Sequence, residues 1–166
     1  MKSINEQGVL LYPGSFDPPT SGHHNIALRA LKLCKLLVIG IHMENSTKSY
    51  MFTAEERREM FLSYFSDTER QHLRVDLYEG LTAEYASKIG AFGLLRGLRT
   101  NADFEFEFQM AAMNKHLNPQ LETVFIRTDG GLAHVSSSLV KDVLRYRDVP
   151  GMVSDFVAEK VKAKFC

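Results

Sequence analysis

Tyr12-Pro13-Gly14-Ser15-Phe16-Asp17-Pro18-Pro19-Thr20-Ser21-Gly22-His23 is the stretch that decides the fold class. It follows a short apolar run, Val9-Leu10-Leu11, and leads into a helix-like segment, Asn25 to Cys34. A strand, a glycine-containing turn and a helix N-terminus in that order make an anion site. First-turn amides have no intrahelical acceptor, and the positive end of the helix dipole faces the ligand. Gly14 and Gly22 let backbone approach a ligand with no Cβ between them. His23, at the helix mouth, is a hydrogen-bond donor for a phosphate oxygen. Proline, glycine, aspartate and serine are also ordinary turn residues. The strand before and the helix after are what favour the phosphate reading. No Gly-Lys-Ser/Thr follows the glycines and no G-x-G-x-x-G pattern is present, so this is neither a P-loop nor a dinucleotide fingerprint.

Outward from that stretch, strands and helices alternate. Leu36 to Ile41 reads as a strand buried on both faces. Thr53-Ala54-Glu55-Glu56 is a capping box that opens a helix to about Ser66. Leu73 to Tyr78 is a strand, and Leu81 to Ile89 a short helix closed by Gly90. Ala91 to Leu95 is the next strand. Asp103, read as a cap, opens a long helix to Leu117, and Pro119 ends it. Leu121 to Ile126 is a fifth strand; Ser136 to Tyr146 and Val153 to Phe165 are helices. Right-handed βαβ units follow, hence a single Rossmann-like α/β domain over residues 1–166, with a five-stranded, mostly parallel sheet and helices on both faces. Ligands of such sheets bind beyond the carboxyl ends of the strands. The loops expected there are Pro13 to His23, Asn45 to Tyr50, Glu79 to Thr82, Arg96 to Asn101 and Thr128 to Ser138.

Composition narrows the function. A net charge of +0 supplies no whole-molecule field for nucleic acid or an anionic membrane. No apolar run approaches the roughly 20 residues that span a bilayer, and Met1 to Gln7 lacks the apolar centre of a signal peptide. Cys34 lies in an apolar helical stripe and Cys166 is the last residue, so neither has metal-ligand spacing. The cytoplasm is the expected compartment.

Three further groups carry chemistry. Lys48, between Thr47 and Ser49, is a flexible counter-charge for phosphate or simply a solvated loop lysine. Arg96-Gly97-Leu98-Arg99 places two guanidinium forks directly after a strand. Ser136-Ser137-Ser138 offers three hydroxyls and bare amides at a helix start, a second anion cradle. In the long helix, Phe104 and Phe108 read as core or subunit contact, and Glu107 faces either the site or water. His24 reads as a surface histidine.

These motifs resemble the bacterial phosphopantetheine adenylyltransferases of the nucleotidylyltransferase superfamily. The resemblance covers essentially the whole chain. It rests on Tyr12 to Pro18, Thr20-Ser21-Gly22-His23, Phe52-Thr53 with Glu55-Glu56-Arg57, Arg96 to Arg99, Asp103-Phe104-Glu105, Met113-Asn114 and Val135 to Lys141. It implies transfer of AMP from ATP, with Mg²⁺, to 4′-phosphopantetheine, giving dephospho-coenzyme A and pyrophosphate. It implies catalytic roles for His23, Lys48 and Arg96. Ser15, Lys48, Thr82 and Arg96 would hold phosphopantetheine. Ser15, Phe16, His23, Gly97, Leu98, Arg99, Glu107 and Leu132, Ala133, His134, Val135, Ser136, Ser137 and Ser138 would bind ATP. A homohexamer, and coenzyme A as feedback ligand, follow from the same resemblance. The chain departs from the family's usual pattern: Ser15 stands for a threonine, Ser49-Tyr50 for Lys-Pro, Phe106 for a tyrosine, and Leu132-Ala133-His134 for a segment that commonly carries an aromatic. Another adenylyltransferase, acting on a mononucleotide or a small phosphate ester, and a non-catalytic nucleotide-binding or sensor domain on the same fold are the alternatives.

Overall fold

The computed structural model describes residues 8–43, 49–148 and 150–165. The expected loop lysine, Lys48, lies outside the described residues, as do Met1 to Gln7 and Cys166. The strands are β1 (Val9–Gly14), β2 (Leu36–His42), β3 (Leu73–Tyr78), β4 (Ala91–Leu98) and β5 (Glu122–Arg127). They form one sheet in the order β3-β2-β1-β4-β5, with every pairing parallel. The helices are α1 (Ser21–Ala30), α2 (Ala54–Leu62), α3 (Asp67–Arg70), α4 (Thr82–Lys88), α5 (Asn101–Leu117), α6 (Ser137–Leu144) and α7 (Asp155–Ala163).

Alternation along the strands feeds two cores. Leu10, Leu37 and Ile39 face α1 and α2, where Ile26, Ala27 and Phe61 meet them. Leu11, Val38 and Leu94 face the other way, against Ala83 and Ala86 of α4. Each such leucine, fully buried, contributes about 2 kcal/mol. A third cluster joins Phe52 and Met60 to Val140, Leu144, Val157 and Val161, and so anchors α6 and α7 to the sheet's carboxyl end.

Several boundaries differ from the sequence reading. Helix α1 begins at Ser21, not Asn25, and ends at Ala30. Thr20 is its N-cap, and His23 fills the return position of the capping box that Glu or Gln normally occupies. Strand β1 runs on to Gly14 and β4 to Leu98, so Arg96, Gly97 and Leu98 are strand rather than loop. The cap of α5 is Thr100, and Asp103 is its partner three residues on. Ser66 starts α3, which the sequence reading omitted. Gly90 closes α4 at φ +65, as a C′ glycine does.

One departure from regular pairing makes the site. The chain winds outward from β1 to β3, then returns to β4, so the switch point falls between β1 and β4. Their pairing ends at Leu11 with Leu94, while β1 stays paired to β2 up to Gly14. Beyond that point β1 and β4 part, and a crevice opens.

Candidate active site

The crevice widens into a cleft of about 460 Å³. It is lined by Gly14, Ser15, Phe16, His23, Tyr50, Thr82, Arg96, Gly97, Arg99, Glu107, Val135 and Ser136 to Ser138, among others. Most of the residues singled out in the sequence thus meet in one place. Leu98, Leu132, Ala133 and His134 do not line it. Leu98 offers its carbonyl to the Thr128 amide at 2.8 Å; Leu132 packs on the α6–α7 cluster; His134 is exposed.

His23 is fixed by its own helix start. The Thr20 backbone N–H donates to Nδ1 at 3.0 Å. Nδ1 is therefore unprotonated in the neutral ring, and the proton sits on Nε2. Burial, with the cationic fields of Arg99 and Arg96 adding to it, pushes the His23 pKa down to about 4. At neutral pH the side chain is a neutral Nε2–H donor in the cleft. Phe16 supports it edge-on, with ring centroids 5.1 Å apart. Phe16 itself adopts φ 48 and fills the space beside Gly14, where a Cβ would lie 2.7 Å from its ring.

Arg96 closes the gap between the parted strands. Its Nη1 donates to the Pro13 carbonyl at 2.9 Å, while Nε and Nη2 grip both Glu107 oxygens at 2.5 and 2.6 Å. Glu107 therefore faces the site and orients the guanidinium. Arg99 is held by Asp103 at 3.2 Å and reaches the Val135 carbonyl at 3.4 Å. The β4–α5 turn and the loop before α6 converge there, although 36 residues separate the two partners. Thr82 shares a hydrogen bond with the Tyr78 hydroxyl at 2.9 Å. Past Arg96, Thr82 and Glu107 a narrow slot of about 80 Å³ continues, walled by Leu94, Phe106, Met110 and Asn114.

The three serines divide their labour. Ser136 is the N-cap, its Oγ accepting from the Leu139 amide at 3.1 Å. Ser137 Oγ donates to the Pro18 carbonyl at 2.8 Å. The expected cradle of three hydroxyls is thus reduced to the Ser138 hydroxyl and the first-turn amides, which lack intrahelical acceptors by position.

Sequence reasoning gave no role to three residues that assemble the cleft. Asp17 is 4% exposed and accepts from the Met51 and Phe52 amides and from Lys141 Nζ, each at 3.0 Å. Arg57, 1% exposed, donates to the carbonyls of Ser15 at 2.7 Å, His42 at 3.1 Å and Met43 at 3.4 Å. Tyr50 lies over the Arg57 guanidinium, 4.3 Å from ring centroid to Cζ. Only the occurrence of Asp17 and Arg57 within the quoted motifs hinted at them. The surface reading of His24 is corrected: it is half-buried between Tyr64 and Phe65, both with centroids at 5.1 Å, and burial lowers its pKa.

Comparison with known proteins adds three findings. The family model described as Cytidylyltransferase-like matches residues 11–143. Phosphopantetheine adenylyltransferases of Caldanaerobacter subterraneus subsp. tengcongensis and Thermomicrobium roseum are each 40% identical over 158 residues. The first match covers 95% of this chain and 97% of that protein, the second 93% of each. Among solved structures, the Plasmodium falciparum nicotinic acid mononucleotide adenylyltransferase complexed with NaAD aligns with a TM-score of 0.58 at 14% identity, over 96% of both chains. A bifunctional NMN adenylyltransferase/ADP ribose pyrophosphatase from Francisella tularensis aligns with a TM-score of 0.63 at 12% identity, over 96% of this chain and 52% of that one. At such identities the likeness is one of fold.

Proposed function

Because the chain belongs to the phosphopantetheine adenylyltransferases, and transfers the adenylyl group of ATP to 4′-phosphopantetheine in coenzyme A biosynthesis, we infer that the cleft between β1 and β4 is where the two substrates meet. The observation that carries this reading is the convergence of His23, Arg96, Arg99 and the start of α6 on one crevice at the switch point.

In that reaction a phosphate oxygen of the acceptor attacks the α-phosphorus of ATP, and the bond to the pyrophosphate oxygen breaks. The attacking oxygen is already ionised at neutral pH, so no general base is needed. What remains is in-line positioning and stabilisation of charge that grows at the α-phosphate. His23 meets the second need, because its Nε2–H donates to a developing negative charge without adding a proton of its own. Arg96, oriented by Glu107 and Pro13, holds the acceptor phosphate beside Ser15; for Lys48, outside the described residues, the family resemblance implies a second cation for that phosphate. The slot past Thr82 takes the pantetheine arm. Arg99, the amides opening α6 and Ser138 take the triphosphate. Phe16 and Gly97 border the nucleotide, and Glu107, through Arg96, serves the acceptor end of the cleft.

Mg²⁺ enters this proposal as a companion of ATP. Among the described residues no group of three His, Cys, Asp or Glu could hold a metal, so the side chains do not form a protein cage. An ion that keeps its waters and binds mainly substrate phosphates makes no such demand. Coenzyme A, which carries both the pantetheine arm and an adenylate, would compete for the same cleft. A homohexamer would bury α5, which has no buried residue and exposes Phe104, Phe106, Phe108, Met110, Met113 and Leu117. No helix among the described residues is long and apolar enough to cross a membrane, and the cytoplasm suits a pathway of soluble phosphates.

The test is release of pyrophosphate from ATP on addition of 4′-phosphopantetheine, with dephospho-coenzyme A identified by mass. Release that is independent of the acceptor, or that responds to nicotinate mononucleotide instead, would overturn the reading.

A further inference from the structure

Tyr50 lines the cleft, yet the reaction described above leaves it unused. Its ring rests on Arg57, whose guanidinium carbon is 4.3 Å from the centroid. Arg57 has no freedom to follow a ligand. It is 1% exposed, and its nitrogens are committed to the carbonyls of Ser15, His42 and Met43. Directly after Tyr50 in the chain, Asp17 anchors the next two amides, those of Met51 and Phe52, at 3.0 Å. The ring is therefore pinned from beneath and the backbone from behind. A tyrosine held in this way loses little rotamer freedom on binding, so a contact it makes is retained almost in full.

Its surroundings indicate which substrate it meets. Tyr78 and Thr82, joined by a 2.9 Å hydrogen bond, line the same cleft together with Ser15, whose carbonyl Arg57 holds at 2.7 Å, and Arg96. The Tyr78 phenol is pushed up, above all by burial. Arg57 beneath the Tyr50 ring draws on the π electrons and makes its O–H a better donor.

We propose that Tyr50 is a further acceptor-binding residue, whose hydroxyl donates to the phosphate of the acceptor, and that Arg57 is the positioning residue that aims it. The proposal rests on the reading above, in which the acceptor phosphate lies by Arg96. Tyr50 supplies a neutral donor of fixed direction, and Arg57 acts through it without touching the substrate.

Calorimetric titration with 4′-phosphopantetheine and with ATP, on the full chain, tests this. Tyr50→Ala is expected to weaken acceptor binding about tenfold, and Tyr50→Phe about threefold, with ATP affinity changed by no more than about twofold. In steady state both should raise the acceptor KM with little change in kcat. Arg57→Lys keeps the charge but loses the fork. It should weaken acceptor binding in the native background and add almost nothing in the Tyr50→Ala background, a coupling that a purely structural role would not produce. Arg96→Ala serves as the reference. If it loses acceptor affinity while Tyr50→Ala does not, the role of Tyr50 is overturned and the site stands. If neither variant is impaired, the acceptor site itself is misplaced. If Arg57→Lys costs the same factor in both backgrounds, its positioning role is overturned. Should Arg57→Lys fail to fold, the two Tyr50 variants decide the proposal between them.

Discussion

The protonation state of His23 gives the sharpest prediction. A free imidazole titrates near pH 6.5, and in the folded chain burial and two arginines push His23 down to about 4. Between those values the unfolded chain binds the extra proton and the folded one does not, so stability rises with pH across this window. The contribution is fully present above about pH 6.5 and is lost on acidification toward pH 4. Its size, from a depression of about 2.5 units, is about 3 kcal/mol. His23→Gln is the informative perturbation. A glutamine at the third helical position can accept the same Thr20 amide and preserve the capping box, yet it has no proton to take up. The two proteins should be of similar stability near neutral pH. The wild type should then lose about 3 kcal/mol relative to the variant by pH 4. Urea denaturation at a series of pH values measures the difference. NMR titration of the His23 ring C–H, assigned by its absence in the variant, gives the midpoint directly. A midpoint near 6.5, with a stability difference that does not vary with pH, would refute the picture of an enclosed neutral donor. The catalytic counterpart is His23→Ala, which removes that donor and should lower kcat by about 10²–10³ while ATP binding changes little.

Two further outcomes follow from the same geometry. Lys141→Met strips the ion-pair partner from Asp17, whose side chain is 5% exposed, and leaves it only two backbone amides. We expect a loss of about 3 kcal/mol and a Tm lower by about 10 °C, read by calorimetry; a loss under about 1 kcal/mol would mean the pair is solvated. Phe106→Glu places a charge on the apolar face of α5, where Phe106 is 60% exposed. If the proposed homohexamer forms through α5, sedimentation should show the variant as smaller species than the wild type, and an equal mass for the two would remove α5 from the proposed contact.

Much of this protein was legible in the sequence because the deciding signals are local. The apolar runs of β1 and β2, the Thr53-to-Glu56 box, Gly90 at a helix end and the alternation of elements each depend on neighbours a few residues away, and they suffice for a parallel α/β sheet with its ligands at the carboxyl edge. The motifs around His23, Arg96 and Ser136 to Ser138 likewise named the family that the comparisons support. Tertiary structure alone decided how those polar side chains are employed. The sequence offers Arg96 as a guanidinium fork for phosphate or carboxylate; the structure adds what orients it, Glu107 and Pro13, the latter 83 residues away. Asp17 and Lys141, 124 residues apart, form a buried pair that no periodicity encodes. Ser137 is spent on Pro18, and His24 lies between two rings rather than at the surface. The unpairing of β1 from β4 beyond Leu11 and Leu94, which opens the crevice, leaves no mark on either strand's composition. A hydrophobic period reports which way a side chain faces. Whether a buried charge is free or already paired depends on partners brought together only when the sheet closes, and so does the neutral state of His23.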